Sequence, residues 1–139
     1  MPKNLRKRQE KIQEILEYLA EESKKGIPII VEGKKDVETL RTLQVEGEII
    51  AAKTGRKSRL DVISQIEEAG TKEIILMLDF DRRGKEWTKH LTAYLERTRI
   101  KPNVTFWNEL CAVVRREVKD IEGLATYMET LERKIGNSA

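Results

Sequence analysis

Two short stretches of this 139-residue chain combine residue types that could do chemistry together. One is Asp79-Phe80-Asp81-Arg82-Arg83-Gly84; the other is Val31-Glu32-Gly33-Lys34-Lys35-Asp36. Aspartates at i and i+2 on an extended backbone point to the same side, so Asp79 and Asp81 can offer oxygens to one cation. If Glu32 faces them, three carboxylates crowd together and repel unless a cation neutralises them. Mg²⁺ suits such a set, with Mn²⁺ as a substitute. It takes oxygen ligands in octahedral geometry and keeps waters for substrate phosphates. Arg82, Arg83 and Lys85 stand beside the acids, and Lys53, Arg56, Lys57 and Arg59 form a second basic cluster. Acids that hold a metal, rimmed by cations that hold phosphates, make sense for phosphodiester chemistry. Gly33 and Gly84 permit tight turns and close approach of a ligand to the backbone. For Asp36, helix capping and metal binding are both open.

The elements that must position these groups follow from the apolar pattern. Leu5, Ile12, Ile15, Leu16 and Leu19 recur at helical spacing, which predicts an amphipathic helix over Leu5–Lys25 with a basic start. Ile27–Val31, Ile49–Ala52, Ile74–Leu78 and Val104–Trp107 read as four short strands, buried on both faces as in a parallel sheet. Between them lie helices begun by Asp36 and by Ser58 with Asp61 as a capping box, and one marked by Trp87, Leu91, Tyr94 and Leu95. Asn108–Lys119 is either a short helix or an irregular connection, and Asp120 caps a last helix carrying Ile121, Leu124, Met128 and Leu131. Strands alternating with helices predict an α/β fold, a mainly parallel sheet between helical layers. Its functional edge lies beyond the carboxyl ends of the strands. Glu32 ends the first strand, the Asp79–Asp81 pair follows the third, and the Lys53–Arg59 loop follows the second. An order of 2-1-3-4 brings Glu32 beside the pair.

Composition narrows the class. There are 27 Lys and Arg against 24 Asp and Glu, a net charge of +3, and charged residues make up 37% of the chain. A polycationic wrapper of nucleic acid is excluded, so a nucleic-acid surface must come from local segregation of charge. One cysteine, Cys111, excludes an internal disulfide and a cysteine-rich zinc site, and one histidine, His90, argues against a histidine-based zinc centre. With no apolar run long enough for a span and no signal segment, the expectation is a cytoplasmic protein with no membrane partner.

The two acidic stretches resemble the paired motifs of the Toprim domain, E-G-x-x-D and D-x-D-x-x-G, each at a strand end and in the family's order. The resemblance runs over about Gly26–Leu131 and implies a compact three-layer, Rossmann-like Toprim domain at 26–135. The basic helix at 1–25 is added to it. It further implies Glu32 as general acid/base or metal ligand and Asp79 with Asp81 as the Mg²⁺ pair. Lys119-Asp120-x-Glu122 is similar to a K-D-x-[DE] element of primase-like and maturase-like members. Topoisomerases need a tyrosine on another domain, whereas Tyr18, Tyr94 and Tyr127 all fall in predicted helices here. The zinc and helix-hairpin-helix parts of primases and recombination mediators have no counterpart. The chain therefore resembles the small stand-alone Toprim proteins of archaea and bacteria, with the 5S ribosomal RNA maturases as functional analogues. That implies Mg²⁺-dependent, nuclease-like processing of nucleic acid, RNA favoured over DNA. The alternative is a non-catalytic nucleic-acid-binding or scaffold module of a larger processing complex.

Overall fold

Three of the four predicted strands form close to where the apolar runs place them. The computed structural model describes residues 2–53, 58–114 and 116–137. A long helix, α1 (Pro2–Lys24), leads into β1 (Ile29–Gly33), α2 (Lys34–Thr42), β2 (Ile49–Lys53) and α3 (Arg59–Glu68). Then come β3 (Glu73–Leu76), α4 (Arg82–Arg97), β4 (Lys101–Asn103), α5 (Thr105–Val114) and α6 (Ile121–Asn137). The strands are all parallel in the order β2-β1-β3-β4, so the strand order reverses between β1 and β3.

Alternation along the strands feeds two cores. Ile29, Val31, Ile75 and Met77 meet α1, α2, α5 and α6 on one face. Ile30, Ile50, Ile74, Leu76 and Leu78 meet α3 and α4 on the other. Both faces are buried, which explains why the strands read as continuous apolar runs. α1 spans the first face with its helical stripe of Ile12, Ile15, Leu16 and Leu19 turned inward. Its two ends are pinned at opposite edges of the sheet. Ser23 Oγ accepts the Gly47 N–H just before β2, and Arg8 Nη1 reaches Glu117 Oε1 just before α6.

Two expectations are corrected. The fourth strand is not Val104–Trp107 but Lys101–Asn103, at the sheet edge where Pro102 needs no ladder donor. Asn103 Oδ1 accepts the Thr105 N–H at 3.0 Å and turns the chain into α5. The apolar residues Phe106, Trp107, Leu110 and Val114 then form one buried helix face. The third strand pairs regularly only as far as Leu76, although Met77 N–H still donates to Ile30 O at 2.8 Å. Leu78 O accepts the Trp107 indole N–H at 2.9 Å and so leaves the ladder. No helix among the described residues is long and apolar enough to cross a membrane.

Candidate functional site

Glu32 sits at the carboxyl end of β1 and is only 6% exposed. Asp79 follows β3, the next strand, and its carboxyl is hydrogen-bonded to Glu32. Burial first, then the Glu32 contact and the nearby Asp36 and Asp120, push the Asp79 carboxyl up to about 9. At neutral pH Asp79 therefore keeps a proton and donates it to Glu32. Lys53, at the end of β2, stands 4.0 Å from Glu32 Oε2.

Asp36 is 7% exposed and stands at the third position of α2, not at its N-cap. Gly33 is the N-cap, and Asp36 Oδ2 accepts the Gly33 N–H at 3.1 Å. Asp36 Oδ1 accepts the Glu122 N–H at 3.2 Å, from a residue 86 positions away. Burial raises the Asp36 carboxyl, and the two amides oppose that rise. Asp120 caps α6 through a 2.6 Å bond from the Gly123 N–H. Phe80 N–H donates to Lys119 O at 2.6 Å and ties this junction to the β3–α4 loop. The Lys119–Glu122 element thus reaches the same edge as both acidic motifs.

Asp81 is used differently. It is the N-cap of α4, and its Oδ1 accepts the Gly84 N–H at 2.8 Å. A carboxylate has further lone pairs for a ligand, but one oxygen is committed to the helix. Gly84 has a clear reason to be glycine: a Cβ there would lie 2.0 Å from the Asp79 carbonyl oxygen. Arg82, Arg83 and Lys85 are exposed in the first turn of α4, and Arg82 faces Glu86 at 3.6 Å. Lys119 is also exposed. Arg56 and Lys57 lie outside the described residues. Arg59 opens α3, whose capping box of Ser58 and Asp61 forms as the sequence predicts.

The structure thus brings Glu32 and Asp79 into contact, adds Asp36 and Asp120 as nearby charges, and turns Asp81 to the α4 amides. Nothing in local spacing signals the Asp36 bridge to α6 or the Phe80–Lys119 bond, because each joins residues far apart in sequence. Among the described residues, no three His, Cys, Asp or Glu side chains are placed to share one metal ion. The donor chemistry still fits a hard divalent cation. Mg²⁺ is commonly held by one or two carboxylates, with waters and phosphates completing its shell. Here two carboxyl groups meet, and burial together with the neighbouring acids keeps the Asp79 one protonated.

Comparisons with known proteins show the family and the fold. The family model of the Toprim domain matches residues 27–107. A UPF0292 protein of Methanosarcina acetivorans is 39% identical over 133 residues, covering 96% of this chain and 90% of that protein. A UPF0292 protein of Methanocaldococcus jannaschii is 39% identical over 120 residues, 86% of this chain and 91% of its own. A solved structure of a protein from Aquifex aeolicus shares the fold, with a TM-score of 0.64 and 23% identity over 78% of this chain and 94% of that one.

Proposed function

The chain belongs to the Toprim family and to its small archaeal-type UPF0292 relatives, and from that premise we propose that it is a Mg²⁺-dependent, nuclease-like enzyme that cuts phosphodiesters, RNA before DNA. Family membership carries metal binding and nucleic-acid processing with it. The observation that carries the finer reading is the Glu32–Asp79 contact at the point where strand order reverses. A buried and a half-buried carboxyl held together by one proton are a poor arrangement for stability and a good one for a cation.

Glu32 and Asp79 would hold the metal, with Asp81 the nearest further oxygen donor. A bound Mg²⁺ supplies Lewis-acid polarisation of a phosphate oxygen. The chain's own residues do the rest. Lys53, 4.0 Å from Glu32, keeps that side chain oriented and stands ready for a phosphate oxygen. Glu32 can take a proton from an attacking oxygen or return one to the leaving oxygen. Arg82, Arg83, Lys85 and the Lys53–Arg59 segment would fix the sugar-phosphate backbone, which carries register and no sequence information.

The test is cleavage of labelled structured RNA and DNA by purified protein, with Mg²⁺ or Mn²⁺ and with EDTA. Cleavage should need the metal and disappear in Asp79→Asn. Metal-dependent cleavage that survives both Asp79→Asn and Asp81→Asn overturns the site. The second reading, a non-catalytic nucleic-acid module, is favoured by one observation: Asp81 is engaged as a helix cap. It expects binding that persists in EDTA, with no turnover under any metal.

A further inference from the structure

A hollow of about 90 Å³ lies between α3 and α4, and we propose that it receives an unpaired base of a bound nucleic-acid strand. It is lined by Val62 and Ile63 of α3 and by Trp87, His90, Leu91 and Tyr94 of α4. Three of these six side chains carry flat rings. Val62, Trp87 and Leu91 are buried members of the core beneath and make the floor. His90 is exposed, Ile63 and Tyr94 are partly covered, and these three make the walls. An apolar floor with aromatic walls takes the flat face of a base, and an unstacked base is the part of a single strand that can enter it.

The place of the hollow in the fold decides which flat ligand it takes. α3 and α4 each follow a strand and start at the carboxyl edge, so the groove between them opens towards Glu32 and Asp79. Arg83, Trp87, His90 and Tyr94 recur at spacings of four, three and four along α4, which is one helix face. That stripe begins with a cation at the edge, passes the rings, and ends where the Tyr94 hydroxyl donates to Glu67. Trp87 is only about 9 Å along the helix axis from Asp81. The first turn of α4 has no acid and carries Arg82, Arg83 and nearby Lys85, which oppose the helix's own dipole. Helix stability therefore does not explain these cations, whereas a phosphate at the mouth of the groove, joined to a base inside it, does. On the α3 side Leu60 is 75% exposed, one turn before Ile63, and adds an apolar rim. A partner helix of about 10 Å diameter is too wide for a hollow of this size. The proposal rests on reading the carboxyl edge as a nucleic-acid site, and adds to it a preference for single-stranded or bulged substrate.

The probe is a single-stranded RNA of about 12 nucleotides containing 4-thiouridine, bound in EDTA and photocrosslinked. Crosslinks should map to residues 83–94. His90→Ala should weaken binding of this RNA by about tenfold, the loss expected when one stacked base loses its platform. His90→Phe should restore the affinity, because a ring and not a charge is what the base needs. His90 is exposed, so neither substitution disturbs the core. A fully paired duplex of the same sequence should bind both variants as it binds the wild type. Unchanged affinity in His90→Ala, no recovery in His90→Phe, or crosslinks confined to other segments overturns the proposal. So does a concentration-dependent dimer in sedimentation that Leu60→Ser dissolves, which would make this face a contact between copies. The two readings fail separately. Binding that depends on His90 without cleavage in Mg²⁺ sinks the nuclease and keeps the hollow. Cleavage with binding indifferent to His90 sinks the hollow alone.

Discussion

Glu32 and Asp79 share a problem that only a proton or a cation solves, and this sets the pH behaviour of the site. The Asp79 carboxyl is raised to about 9 in the folded protein, against about 4 in an unfolded chain. The folded state therefore binds the extra proton between these values. The stabilisation linked to that proton is full below about pH 4 and is lost as pH rises through about 9. A divalent cation replaces the proton, so its stabilising effect should grow with pH. Thermal melts in EDTA and in Mg²⁺ from pH 5 to about pH 9 should show the two curves diverging upward. Asp79→Asn should remove most of this divergence, because an amide donates to Glu32 without a proton to lose. A variant with the wild-type pH slope and Mg²⁺ response would sink the assignment. Gly84→Ala tests the same corner sterically. Its Cβ would collide with the Asp79 backbone, which should cost about 3 kcal/mol and lower Tm by roughly 10 °C. The residues of this corner were legible in the sequence because the motifs are local. Their partners were less so: Asp81 looked equivalent to Asp79, but the first turn of α4 needs an acceptor for its free amides and takes one Asp81 oxygen.

At the scale of elements, Asp36 couples the two halves of the chain. One oxygen closes the start of α2 and the other holds the first turn of α6, beyond the stretch matched by the family model. Asp36→Asn offers one good acceptor where two are needed, so one amide is left without its partner, at about 1–3 kcal/mol. Asp36→Glu should spare the local half, since glutamate is the usual residue at this position of a capping box. Hydrogen exchange separates the two roles. The Glu122 amide should exchange faster in Asp36→Asn than in wild type, ahead of the middle of α6. The Gly33 amide should stay protected in Asp36→Glu. Unchanged exchange at Glu122 in Asp36→Asn would mean that α6 is held by packing alone. Helix periodicity, the Ser58–Asp61 box, the Asp120 cap and the 2-1-3-4 order could all be read from local pattern and chain direction. The fourth strand could not. Val104–Trp107 has the residue types of a strand, yet Asn103 bonds forward to Thr105 and the aromatics pack as a helix face. The true strand, Lys101–Asn103, has no strand-like composition and exists through its pairing with β3.

For the whole molecule, the small net charge hides a strong separation of charge. The carboxyl edge exposes Lys34, Lys35, Lys53, Arg82, Arg83, Lys85, Arg116 and Lys119. The basic start of α1 belongs to that edge. Arg8 bonds to Glu117, close to the Lys119 carbonyl that receives the Phe80 N–H. The acidic end of α1 lies at the opposite edge, where Ser23 meets Gly47. One helix thus carries both signs of the separation, and a count of charges over the chain averages them away. If the carboxyl edge receives a nucleic acid, exposed Arg6 and Lys7 extend its footprint beyond the Toprim core. Phosphate contacts declare themselves through salt: each one adds about 0.7–0.9 to the slope of log K against log salt concentration. Arg6→Gln with Lys7→Gln should therefore lower the slope by up to about 1.8 if both touch phosphate, with the loss in affinity largest at low salt. Glu14→Gln with Glu17→Gln, on the same helix but two to three turns further along it, should leave the slope unchanged. Fluorescence anisotropy of a labelled RNA stem-loop across a salt series, in EDTA to suppress cleavage, measures both. If the Arg6/Lys7 variant keeps the wild-type slope, α1 stands outside the footprint and the contacts are confined to the loops around Glu32 and Asp79.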